Sequence, residues 1–118
     1  VVALNLDTDG HEETGWTVVY VHLRSDPRRI KQGQHVDAGY RLGHASCDGG
    51  LRATSSHVHL TRKYNGEWIE ADGPIPFTLG GWVAHTDGVP YKGQLTRELP
   101  TKEIVACECV SQRNMISK

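Results

Sequence analysis

Two histidines separated by one residue are the feature of this sequence with the clearest chemical potential. His57 and His59 flank Val58 within residues 56–64 (SHVHLTRKY), a segment whose composition predicts a β-strand. Side chains alternate along a strand, so both imidazoles share one face, with Cα atoms about 7 Å apart. That spacing suits a site in which one ring binds a metal ion and the other holds a water on that ion. The alternative is a pair of solvent-facing strand histidines without a ligand.

His22 is a candidate third member of such a site. It lies in residues 17–23 (TVVYVHL), which predict the clearest strand of the chain. Alternation places His22 on the face opposite Val19, Val21 and Leu23, from which it could reach the same groove. A hydrolytic zinc ion lowers the pKa of its bound water to about 7, and a neighbouring histidine can manage the released proton.

Other polar clusters are interpreted as structural. The acidic run at residues 7–12 lacks the full ligand set of a calcium loop, which favours a solvated hairpin turn. Cys107 and Cys109 form a close pair of a kind that can bind a metal, but one such pair without a second cluster is a weak signal, which favours a structural role such as one bridge to Cys47. The remaining histidines are predicted to be surface residues in loops: His11, His35, His44 and His85.

Composition narrows the possible functions. The 118 residues carry 13 basic and 14 acidic side chains. The sequence therefore lacks the excess of positive charge with which proteins bind nucleic-acid phosphates. No apolar run approaches the roughly 20 residues needed to span a bilayer. The length fits one domain over residues 1–118, and no linker or low-complexity segment divides it.

Turn-forming residues interrupt the sequence about every ten positions, and the segments between them alternate or are β-branched, which predicts an all-β fold. Residues 1–6 and 17–23 are expected to form a hairpin. Asn65-Gly66 predicts a second hairpin after residues 56–64, with a return strand at residues 67–69. Several prolines predict a looped, irregular C-terminal tail with a last strand near residues 104–107.

Residues 30–42 show an unusual period of three, since Ile30, Gly33, Val36, Gly39 and Leu42 are evenly spaced. Glycines at fixed offsets allow positive φ and tight turns. The segment is predicted to form a short strand, a turn and another short strand ending at Leu42. A lipoyl-like carrier hairpin is an alternative, but no lysine occupies a tight hairpin tip.

Three motifs occur together in one order: YVHL at residues 20–23, GQxVxxGxxLG at residues 33–43 and SHVHL at residues 56–60. In order and approximate spacing they resemble the M23 family of zinc metallopeptidases, which includes lysostaphin-type and LasA-type enzymes. The motif resemblance covers about residues 1–70, and residues 64–85 look like the tail of LasA-like bacterial members.

The resemblance implies a fold, an activity and site residues. His59 falls at a Zn²⁺ ligand position, His57 at a catalytic position beside the zinc-bound water, and His22 at a catalytic or transition-state-stabilising position. The implied fold is an antiparallel β-sheet or sandwich with a groove. The implied substrates are the peptide cross-bridges of peptidoglycan or Gly-rich peptides, which places the protein outside the bacterial cytoplasm, secreted or in the cell envelope. The expected state is a monomer.

The chain departs from the family pattern at the metal site. The family supplies a further His and Asp from a motif upstream of the YVHL strand, and only His11 with Asp7 or Asp9 precedes His22 here. Two explanations stay open: an N-terminally truncated zinc endopeptidase, which the start at Val1 favours and which would be weakly active or inert alone, or a metal-free module. Such a module would bind cell wall or a partner protein without catalysis.

Overall fold

The computed structural model describes residues 1–25, 30–47, 56–90, 92–99 and 101–106. These residues form strands and turns, which confirms the all-β prediction, and none of them belongs to a helix that could cross a membrane. The strands in chain order are β1 (Val2–Asn5), β2 (Trp16–Val21), β3 (Leu23–Ser25), β4 (Gly43–Ala45), β5 (His59–Tyr64), β6 (Glu67–Ile69), β7 (Thr78–Leu79), β8 (Trp82–His85), β9 (Gln94–Glu98) and β10 (Thr101–Val105).

The chain divides into two compact units, Val1–Ile69 (unit 1) and Glu70–Lys118 (unit 2). Each has its own sheet structure, and each is described by itself. The single domain expected over residues 1–118 stays a prediction.

Unit 1 is built on a four-stranded antiparallel sheet in the order β1-β2-β5-β6. Both predicted hairpins are confirmed, and Asn65 and Gly66 adopt the positive φ angles (49° and 83°) that a tight two-residue turn requires. The register pairs Val19 with Thr61 and Val21 with His59. The strand order makes β2 and β5 the two central strands. His22 follows the end of β2, and His59 is the first residue of β5.

A second sheet of unit 1 pairs β3 with β4, and the segment before it differs from the prediction. Among residues 30–42 the structure contains no strand; two turns close with hydrogen bonds from Gln34 N to Lys31 O and from Tyr40 N to Asp37 O. Gly33 and Gly39 have positive φ. The period of three thus marks repeated turns, because positive φ at every sixth residue is incompatible with extended strands.

Unit 2 is a four-stranded antiparallel sheet in the order β10-β9-β8-β7, where the sequence predicted a looped tail. The last strand, expected near residues 104–107, runs over Thr101–Val105 instead, and Cys107 lies outside the described residues. Trp82 is 2% exposed and Ile104 is also buried, so the two form a small core. Pro74, Pro76 and Pro90 lie between strands, where a missing N–H disturbs no ladder. Their presence therefore did not exclude a sheet.

Candidate functional site

His22 has an unusual backbone conformation for its residue type. It separates β2 from β3 and has a φ of 58°, in the left-handed region that few non-glycine residues occupy. Its side chain is 2% exposed. The positive φ interrupts the alternation on which the sequence assignment of its face depended, so a single continuous strand over residues 17–23 was wrong at this residue. Such local strain occurs at functional sites when surrounding contacts impose it.

Those contacts come from Ser46, directly after β4. The Ser46 backbone N–H donates to the His22 carbonyl oxygen at 2.8 Å, and the Ser46 hydroxyl donates to the same oxygen at 3.1 Å. Ser46 also forms a single antiparallel bridge with His57. One residue therefore links the backbones of both predicted catalytic histidines.

The rings of His22 and His57 are in contact. Their centroids lie 4.6 Å apart with an interplanar angle of 49°, a tilted packing geometry. His57 is exposed and His22 is buried. A neutral imidazole carries one donor and one acceptor nitrogen, so the exposed His57 can exchange a proton with water or a ligand. The buried His22 ring packs against the His57 ring and restricts its orientation.

His59 lies on β5 directly opposite Val21, and its side chain is exposed. Within the part of the chain that the structure describes, no three His, Cys, Asp or Glu side chains are close enough to hold a metal ion together. The structure thus brings His22 and His57 together but does not combine them with His59 into a three-ligand set.

The other four histidines divide into two groups. His11 and His35 are exposed and lie outside strands, as predicted. His44 is exposed but belongs to β4, and His85 belongs to β8, so the loop assignment of these two was wrong. Both strands are short, and the sequence pattern did not reveal them.

His85 has polar partners that the sequence analysis missed. Its Nε2 lies 2.8 Å from the Thr96 hydroxyl, and its Nδ1 lies 3.8 Å from Asp72 Oδ1. The Asp72 carboxylate also accepts a hydrogen bond from the Thr86 N–H at 2.9 Å. Side chains alternate between the two faces of a strand, and in β8 and β9 this alternation places His85 and Thr96 on the same face. That alternation was the sequence signal from which their contact could have been predicted.

The acidic run forms an exposed hairpin turn, as predicted. Asp9 accepts hydrogen bonds from the Thr14 hydroxyl, the His11 N–H and the Asn5 side chain. The Thr14 and His11 hydrogen bonds lower the pKa of Asp9 below its ordinary value of 3.8. The carboxylate thus organises the turn.

The sulfur chemistry of unit 1 is limited to Cys47, which is exposed and carries a free thiol. Its Sγ lies 4.0 Å from the Ser56 hydroxyl. The bridge to Cys47 that the sequence favoured is therefore not formed, and Cys107 and Cys109 lie outside the described residues.

No protein-family model, curated protein sequence or solved structure matches this chain. The geometry of the site therefore carries the functional argument.

Proposed function

We propose that unit 1 contributes the catalytic histidine pair of a zinc-dependent endopeptidase that resembles the M23 family. The proposed substrates are peptidoglycan cross-bridges or Gly-rich peptides, and the proposed location is secreted or in the bacterial cell envelope. The observation that carries this proposal is the contact between a buried His22 and an exposed His57, held by one serine.

The proposed roles follow from exposure and contacts. His57 exchanges protons with the water or the amide group at the reacting bond, because its ring is accessible. His22 is the positioning residue behind it, since its own ring is buried and its carbonyl is fixed by two hydrogen bonds. A ring that is already oriented removes part of the entropic cost of reaching the productive geometry.

The proposed zinc ion needs more ligands than the described residues provide. A hydrolytic zinc site uses three protein ligands, and His59 alone occupies an implied ligand position. The donors in the described ranges do not fit a complete zinc site. The proposal therefore requires a further His and Asp from outside the described residues.

A second candidate function is a non-catalytic module that binds cell wall or a partner protein. It is favoured by Trp68, whose side chain is 61% exposed and has the Lys63 ammonium 4.7 Å from its ring centroid. An exposed indole beside a cation provides a flat amphipathic surface for a ligand. Such a module needs neither zinc nor the His22–His57 contact.

The distinguishing experiment uses the complete product of the gene that encodes these residues. It is incubated with zinc and a pentaglycine peptide, and the products are separated by mass. We expect cleavage that is lost on His57→Ala and retained on His35→Ala, an exposed histidine outside the pair. Equal cleavage by both variants would refute the catalytic role of His57, and binding without cleavage would favour the second function.

A further inference from the structure

A cavity of about 430 Å³ in unit 1 is lined in part by a residue that contacts both members of the His22–His57 pair. Ser46 lines it, and Ser46 is also the residue that binds the His22 carbonyl and bridges to His57. A ligand in this cavity therefore lies next to the proposed catalytic groups. Among the described residues, the cavity is lined by Arg24, His44, Ala45, Ser46, Cys47 and Ser56.

The β3–β4 pairing builds this cavity. Arg24 lies directly across the two strands from His44, so their side chains share one face. Gly43 permits that pairing, because a Cβ at this position would overlap the Arg24 carbonyl group. The fold thus places a guanidinium group and an imidazole at the same wall.

The cavity has the charge and the donors of an anion site. None of the six described residues that line it is acidic, and the Ser56 hydroxyl adds a donor, whereas the Ser46 hydroxyl gives its one hydrogen to the His22 carbonyl. Arg41 supplies a second positive charge: its Nη2 lies 2.9 Å from His44 Nδ1 and 3.1 Å from Nε2. A guanidinium group only donates, so His44 accepts from Arg41 through its one unprotonated ring nitrogen, and Arg41 brings its positive charge beside the cavity.

Arg24 is suited to a planar anion. Its guanidinium group has five N–H donors in a fixed fork, so a contact with one neighbour leaves donors for a ligand. Two parallel N–H groups match the two oxygens of a carboxylate, which gives both orientation and affinity. The adjoining histidine pair is proposed to act on peptides, and hydrolysis of an internal peptide bond leaves such a group on one of the two products.

We propose that the cavity is a subsite that binds the carboxylate of a peptide ligand. The assignment to a peptide substrate rests on the proposed function. The binding itself depends only on Arg24 and on the charge of the ligand.

The test compares two probes that differ in one group. Acetyl-Gly-Gly with a free carboxylate and acetyl-Gly-Gly amide are titrated into the zinc-free 118-residue chain, and the amide NMR signals of Ser46 and Ser56 are followed. We expect the acid to bind at least about tenfold more tightly than the amide. Arg24→Gln should abolish that difference, and Lys31→Gln, which removes an exposed cation outside the cavity, should preserve it.

Several outcomes would overturn the inference. These are equal affinity of the acid and the amide for the unaltered chain, or an acid preference that survives Arg24→Gln in a folded variant. A titration with inorganic phosphate, followed by the same Ser46 and Ser56 signals, tests which anion the cavity prefers. Weaker binding of phosphate than of acetyl-Gly-Gly supports a peptide carboxylate as the ligand, and tighter binding of phosphate contradicts it.

Failure of this inference is distinguishable from failure of the proposed function. Carboxylate binding without pentaglycine cleavage would refute only the peptidase proposal. Cleavage by the gene product together with equal binding of acid and amide would refute only the carboxylate subsite.

Discussion

Ser46 donates two hydrogen bonds to the carbonyl oxygen of His22, one from its backbone N–H at 2.8 Å and one from its hydroxyl at 3.1 Å. This double contact holds a histidine in the left-handed region, with its ring against His57. The arrangement depends on residues 24 positions apart in the sequence, so the site is a product of tertiary structure.

Removing the Ser46 hydroxyl should loosen this contact. Ser46→Ala eliminates one of the two hydrogen bonds, and we expect the free energy of unfolding to fall by about 1 kcal/mol. Urea denaturation measures the change. The control Ser56→Ala should be nearly neutral, because Ser56 is exposed and its described side-chain contact is a weak one with Cys47 at 4.0 Å. Equal losses for both variants would contradict the role assigned to Ser46.

The backbone of His22 makes a separate prediction. Gly adopts the left-handed region freely and Ala does not, because its Cβ crowds the backbone there. Both substitutions remove the imidazole and add no polar group, so their difference reports on the backbone. We expect His22→Ala to be less stable than His22→Gly by about 1 kcal/mol. The opposite order in thermal or urea unfolding, which extended backbone favours, would show that residue 22 does not hold a positive φ.

Thr17 has a buried hydroxyl without a hydrogen-bond partner among the described residues. Its side chain is 0% exposed, and Thr61 on the same face has a similarly unpaired hydroxyl but is only half-buried. An unpaired buried hydroxyl is costly, so the isosteric Thr17→Val should stabilise the protein by about 1 kcal/mol. Thr61→Val should gain less. A loss of stability in Thr17→Val would mean that the hydroxyl is hydrogen-bonded.

Asp9 gives a pH-dependent prediction. Its pKa lies below 3.8 in the folded chain, so its contribution to stability is present above that pH and is lost as the pH falls through the lowered pKa. The Thr14 hydroxyl is the largest cause, and Thr14→Val should therefore raise the pKa of Asp9. NMR titration of the carboxyl carbon measures the change. An unchanged pKa in Thr14→Val would contradict the assignment.

The sequence predicted the parts of unit 1 that local rules control. Alternation gave the central strands, and Asn65-Gly66 gave a hairpin because both residues accept positive φ. The break at His22 could not be predicted, since histidine has no local preference that requires it and Ser46 lies far along the chain. Residues 30–42 were misassigned because evenly spaced glycines were expected to separate strands, whereas here they shape successive turns.

The short strands of unit 2 were missed for a different reason. β7 has only two residues and β8 has four, which is too few for a periodic pattern to emerge. The hydrogen bond between the His85 ring and the Thr96 hydroxyl depends on those strands, so it was missed with them. At the candidate site the sequence predicted His57 and His59 on one face of a strand, with His22 as a third member. The structure places His22 against His57, but β5 begins only at His59, so His57 does not share that strand. The zinc-ligand role of His59 stays a prediction.

The central claim is that His57 is the catalytic residue and that His22 acts only through it, by positioning its ring. The most direct measurement is the rate of pentaglycine cleavage by the zinc-supplied gene product carrying His22→Gln, His57→Gln and both substitutions together. Each single variant should lose about 10²–10⁴ in rate, and the double variant should lose no more than the more impaired single variant, because residues that act as a unit are not additive. Losses that multiply in the double variant, or an unchanged rate in His57→Gln, would contradict the claim.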